Sequence, residues 1–143
     1  MHLGDNIMKM TTDINKALKQ LNKAQRATER QLKKAMTKAA MQFEAESVKR
    51  SPIDEGHLQS SHRHKVEQNG SDTTAIVYIP TNSPASDYAI YMHEGTYTLG
   101  PTSLQKQGSV GVRVGKKYME RALLEEEDKI IATIVRELKR NLK

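Results

Sequence analysis

The residues with the most chemical potential in this chain are its histidines and the carboxylates beside two of them. His57, His62 and His64 fall within eight residues. On a strand, His62 and His64 would share one face, the raw geometry of a metal pair. Zinc sites take three or four ligands, and no Asp, Glu or Cys stands nearby at a convincing ligand spacing. Solvated strand histidines explain the pattern better. A second group is Asp87, His93 and Glu94, where imidazole meets carboxylate as in proton-transfer chemistry. It lacks a nucleophile, because Ser60, Ser61, Ser83 and Ser86 sit in plain turn contexts without an elbow motif. A structural His–carboxylate pair, buried or at an interface, is the better reading. The stretch Gly108–Gly111 reads as a flexible turn, and no P-loop or dinucleotide fingerprint occurs. The chain has no Cys, which excludes thiolate nucleophiles, disulfides and Cys-based zinc sites. No catalytic, cofactor or metal residue is expected, although His57, His62, His64 and Glu94 define what a small metal enzyme would have to use.

The elements that position these groups follow from periodicity. The 143 residues suit one domain, with a thin apolar supply of one Phe and no Trp. Residues 1–11 show no period and are expected to form a flexible arm. Residues 12–50 read as one long helix. Ile14, Leu18, Leu21, Gln25, Thr28, Leu32, Ala35, Ala39 and Phe43 follow one another at spacings of four or three. Such a helix would be about 60 Å long, so part of it projects or the helix breaks near Asn22–Thr28. Leu32–Val48 is the half best suited to pack on its own domain.

Ser51–Leu58 is a corner. Pro52 disfavours the α region at Ser51, Asp54 can bond its own backbone, and Gly56 can take a positive φ. The sheet region spans 58–114. Ser60–Gln68 and Thr73–Ile79 form a hairpin around Asn69–Asp72. Asp87–Gly95 is a short helical turn, capped by Asp87 and closed by Gly95, with Tyr88, Tyr91 and Met92 at helical spacing. Thr96–Leu99 and Val110–Val114 are strand candidates around a mobile polar loop, 100–109. Residues 117–142 form a C-terminal helix whose apolar face carries Met119, Leu123, Ile130, Ile134 and Leu138.

The charge is segregated. Residues 9–50 hold eleven basic and four acidic side chains, a net of +7. Residues 51–143 hold twelve of each, and Asp5 brings the whole chain to +6. An acidic surface or a nucleic acid is the expected neighbour of the first helix. Lys16, Lys19, Lys23, Arg26, Arg30, Lys33 and Lys34 are the candidate contacts with DNA or with an adjoining subunit. Without aromatic interleaving or a base-reading motif, such contact would be non-specific. No apolar run is long enough to span a membrane, and no signal-peptide core precedes the first helix.

Three stretches in order carry a family resemblance. They are Ser51-Pro52-Ile53-Asp54-Glu55-Gly56-His57-Leu58-Gln59-Ser60-Ser61, Tyr88-Ala89-Ile90-Tyr91-Met92-His93-Glu94-Gly95-Thr96, and Tyr118-Met119-Glu120-Arg121-Ala122-Leu123. Together they resemble the head–tail joining proteins of tailed double-stranded DNA phages, also called neck or tail-completion proteins. Pro52, Asp54, Gly56, Leu58 and Ser61 match the first family motif. Tyr88, Ala89, Tyr91, Glu94, Gly95 and Thr96 match the second. Glu55 departs from the usual Thr, His93-Glu94 shifts the usual Glu by one place, and Tyr118-Met119 replaces Phe-Leu.

The resemblance, over residues 35–140, implies an α+β protomer: long N-terminal helix, small antiparallel sheet with a short helical turn, C-terminal helix. It implies a hexameric ring in the virion neck, assembled in the host cytoplasm. That ring would join portal or connector proteins to tail terminator or tail tube proteins around the DNA channel. It implies no enzyme activity and no cofactor. Free chains are expected to stay mostly monomeric, so that rings do not form prematurely. The alternative is a free, non-specific nucleic-acid-binding protein that uses the basic helix.

Overall fold

The computed structural model describes residues 7–10, 29–53, 56–69 and 72–141. Two long helices lie over a small sheet. Helix α1 spans Glu29–Arg50 and helix α5 spans Tyr118–Asn141. Between them run the one-turn helix α2 (His57–Ser60), strands β2 (Arg63–Asn69) and β3 (Asp72–Tyr78), and helices α3 (Ser86–Glu94) and α4 (Pro101–Val110). Strand β1 (Ile7–Met10) completes the sheet in the order β1-β3-β2, antiparallel throughout. This is an α+β fold.

Helices α1 and α5 run antiparallel. Lys38 pairs with Glu137, Thr133 bonds Gln42, and Arg50 reaches Glu125, so one numbering rises as the other falls. The α1 stripe continues through Ala35, Met36, Ala39, Ala40 and Phe43, all fully buried. Small side chains there let α1 sit close to its neighbours. The facing α5 stripe is Tyr118, Met119, Ala122, Ile130, Ile134 and Leu138, with Leu123 at its margin. Central β3 adds Ala75 and Val77, and Ile79 follows just beyond it, which closes the core under the helices.

Three expectations change. Ile7–Met10, part of the expected arm, instead pairs with β3 in register from Ile7–Tyr78 to Met10–Ala75. Segment 100–109 is a helix rather than a mobile loop, and neither Thr96–Leu99 nor Val110–Val114 is a strand. Its punctuation suits a helix: Pro101 stands in the first turn and Gly111 closes it at φ 75°. With Leu104 and Val110 as its only large apolar residues, α4 shows little periodicity and docks through polar groups instead. Helix α3 forms as expected, but its N-cap is Ala85 rather than Asp87, and Tyr91 is exposed while Ala89 and His93 are buried. The expected helix over 12–28 and the breakpoint within it lie outside the described residues, as do Asp54 and Glu55. No described helix is long and apolar enough to cross a membrane.

Candidate functional site

The corner after α1 is built from the helix end outward. The last turn of any helix leaves carbonyls without internal partners. Here Ser51 bonds the Val48 carbonyl through both its N–H and its hydroxyl, at 3.3 and 2.8 Å. Lys106, from α4, donates to the carbonyls of Val48 and Ser51, each at 2.6 Å. The Gly115 N–H takes the Arg50 carbonyl at 2.8 Å, and the Ile53 N–H donates to Ser103 Oγ at 2.9 Å. Helix α4 therefore clamps the corner through Ser103 and Lys106. Burial lowers the Lys106 pKa to about 8. Pro52 is buried, and Gly56 takes φ 84° as it leads into α2, whose Leu58 is fully buried.

Arg50 lies beneath this corner and is the largest fully buried side chain among the described residues. Its guanidinium meets Glu46 Oε1 at 2.8 Å, Glu125 Oε1 at 2.9 Å and Glu126 Oε2 at 3.3 Å. Burial works against its charge, but the bonds to Glu46 and Glu125 outweigh it and raise the pKa above the usual arginine value. Half of the acidic run 125–128 is thus spent inside the chain. Neither Arg50 nor Ser47 was singled out by the chemistry of the sequence. The signal was positional, because the stripe Ala35, Ala39, Phe43 continues by four and three to Ser47 and Arg50.

The second and third stretches meet each other. Tyr118 Oη donates to the Ala89 carbonyl at 2.9 Å, and its ring lies edge-on to His93 at 4.8 Å. His93 Nδ1 bonds Glu94 Oε2 at 2.7 Å, while Nε2 faces the Glu120 N–H at 3.4 Å. That network assigns the Nδ1–H tautomer. Burial lowers the His93 pKa, against the opposing pull of Glu94. Glu94 also accepts from Lys117, and the bonds from Lys117 and His93 lower its own pKa. Lys117 adopts φ 60°, and its N–H closes on the His93 carbonyl at 2.7 Å. The expected structural pairing of His93 with Glu94 is therefore present within α3, and the contacts of the two residues with Lys117, Tyr118 and Glu120 tie α3 to the start of α5.

Gly95 ends α3 at φ −76°, so a positive φ is not what it supplies. It supplies space, since a Cβ there would lie 2.5 Å from the Tyr91 carbonyl oxygen and 2.9 Å from its ring. Gly95→Ala should cost about 1–3 kcal/mol through this overlap, read as a lower urea midpoint at unchanged slope. A stability equal to wild type would mean that Tyr91 simply swings aside. Tyr91 is 54% exposed, and its ring lies tilted by 38° against that of Tyr97 at 5.9 Å. Thr96, exposed, contributes its carbonyl to a 3.5 Å bond from Tyr91.

His57, His62 and His64 do not come together as a metal site. His62 and His64 both turn toward α1, as strand alternation allows, but to separate partners. His62 lies between Ser47 Oγ at 2.8 Å and the Leu58 carbonyl at 2.9 Å, and burial lowers its pKa to about 4. His64 meets Glu44 at 3.2 Å, and His57 is exposed. His62 is therefore a buried bracket between α1 and α2, not a solvated strand residue. Among the described residues, no group of three or more His, Cys, Asp or Glu is placed to hold a metal ion.

Of the candidate basic contacts, Arg30, Lys33 and Lys34 are exposed on α1, whereas Lys16, Lys19, Lys23 and Arg26 lie outside the described residues. The antiparallel pairing brings this end of α1 beside Arg136, Lys139 and Arg140 of α5. Glu137, buried there, is paired with Lys38 at 3.0 Å.

The fold and these joints define an α+β scaffold in which the conspicuous polar residues hold its elements to one another. Residues 15–95, 81 of the 143, match the protein family described as "Bacteriophage HK97-gp10, putative tail-component". The chain belongs to this HK97-gp10-like family and is a structural component of a phage virion. Comparisons with curated proteins and with solved structures find no match.

Proposed function

We propose that this chain is a non-enzymatic adaptor in the neck of a tailed phage. Six copies would form a ring that joins the portal or connector complex to the tail and surrounds the DNA channel. One observation carries the reading: the three stretches that resemble head–tail joining proteins all lie at joints between elements. The first is the corner clamped by α4, and the second and third are clasped through Tyr118 and His93. Joints of this kind fix the angles at which surfaces meet neighbours. Assembly should therefore be more sensitive to them than solubility is.

Gly56 provides the test. A Cβ at Gly56 meets nothing within 4 Å, but φ 84° strains any residue with a side chain. Gly56→Val should leave soluble protein yet sharply reduce joined heads and tails in electron micrographs of particles. Normal infectious particles from this variant would overturn the proposal. The basic end of the α1–α5 pair favours the second reading, a free nucleic-acid-binding protein. That reading requires the isolated chain to bind DNA with an affinity that falls steeply as salt rises.

A further inference from the structure

Helix α4 is held to the rest of the chain by polar bonds rather than by apolar burial. Ser103 is its one buried residue, and Leu104 is 53% exposed. None of its side chains belongs to the core under α1 and α5. What holds it is one polar face, with Ser103 and Lys106 a turn apart. Ser103 Oγ accepts the Ile53 N–H, and Lys106 Nζ donates to the Val48 and Ser51 carbonyls. Gln107 Oε1 accepts the Val114 N–H at 2.9 Å, just beyond the helix end. The chain on either side is fastened separately. Before α4, Tyr97 Oη donates to the Met92 carbonyl at 2.6 Å. After it, the Gly115 N–H holds the Arg50 carbonyl, and Arg121 donates to the carbonyls of Arg113 and Lys116 at 2.8 and 2.9 Å. Helix α4 is thus a span between two fixed points.

We propose that α4 is a latch on the corner, which opens as a unit while the core stays folded. Docking stability scales with the apolar area removed from water, and α4 removes little. Its hydrogen bonds replace bonds to water, so each contributes only a small net amount. Against them stands the conformational entropy of ordering the helix. Segments with few apolar contacts and solvent-facing hydrogen bonds open locally, well below the free energy of global unfolding. Each opening withdraws Lys106 from the last carbonyls of α1 and Ser103 from the Ile53 N–H. The corner then keeps only the Ser51 bonds to Val48 and the Gly115 bond to Arg50. Closed, the latch fixes the angle between α1 and the sheet; open, it releases that angle. Ile53 and Ser103 are 50 residues apart, so the coupling runs through the fold and not along the chain. The latch is a property of the free chain and does not rest on its position in the virion.

Native-state amide hydrogen exchange of the full chain, at a series of urea concentrations below unfolding, tests this. The amides of Leu104–Val110 should exchange together with those of Ile53 and Val114, through one opening that depends little on urea. Ala39 of α1 and Ile134 of α5 should exchange more slowly and with the steep urea dependence of global unfolding. Lys106→Met keeps the side-chain stem but removes the donors. It should speed exchange of the whole latch set, Ile53 included, about tenfold or more. Gln105→Ala, on the exposed side of the same helix, should leave that rate unchanged. Exchange of the α4 amides only with the core, at the same urea dependence, would overturn the latch. An Ile53 amide that exchanges apart from α4, or that Lys106→Met leaves as protected as before, would overturn its hold on the corner.

Discussion

Arg50→Met should remove about 3–5 kcal/mol of stability, a large share of the roughly 5–15 kcal/mol that holds a domain together. Methionine fills much of the same volume, so the loss comes from charge rather than from a cavity. Glu46 and Glu126, both mostly buried, and the half-exposed Glu125 would keep their negative charge without the guanidinium between them. Lys49 and Lys129 would remain beside Glu46 and Glu126, but both are exposed and their pull is screened. Neutralising the acids should therefore rescue the variant. The triple change Arg50→Met, Glu46→Gln, Glu126→Gln should regain most of the loss, because replacing a whole buried ionic cluster is often close to neutral. Urea unfolding of the three proteins measures this directly. A loss below about 1 kcal/mol for Arg50→Met would put the cluster in the class of surface ion pairs.

Acidification should weaken the fold through His62. Its imidazole is buried and neutral, with a pKa of about 4 against an ordinary 6.5. Between those values the unfolded chain binds the proton and the folded chain does not. Stability is therefore greatest above about pH 6.5, falls as pH drops, and levels off below about 4. The full contribution is about 3 kcal/mol, of which about 2 is lost by pH 5. His93, whose pKa burial also lowers, adds to the loss with the same sign. The lowered carboxyls of Glu46, Glu94 and Glu137 titrate further down, where their contribution disappears in turn. His62→Gln should start less stable at pH 7, since Ser47 Oγ and the Leu58 carbonyl lose a fitted partner, yet show a flatter slope between pH 7 and 5. Equal slopes for the two proteins would show that His62 is protonated in the fold or titrates elsewhere.

Much of this architecture is legible in the chain. The α1 stripe from Leu32 to Phe43, the α5 stripe, the stop at Ser51-Pro52 and the positive φ at Gly56 all depend on neighbours within a few residues. Spacing and local sterics report such features faithfully. The order of three short motifs, each weak alone, was also enough to indicate the family. Helix α4 shows where this reading fails. Its end signals, Pro101 and Gly111, were present, but it packs through Ser103 and Lys106, and hydrophobic periodicity is blind to a polar dock. Strand β1 fails for a related reason. Four residues carry too little pattern to reveal that their partner lies nearly seventy positions away in β3.

Composition, periodicity and turn chemistry thus reveal the two amphipathic helices, the hairpin, the corner and the segregation of charge. The roles of the polar residues emerge in the packed fold. His62 became a buried bracket, Arg50 the centre of three carboxylates, and Lys106 the cap of a helix fifty-five residues earlier in the chain. The difference is one of range. Helix and turn signals arise from contacts a few residues apart, whereas the partner of a buried polar group is chosen by whichever distant element the fold brings within 3 Å.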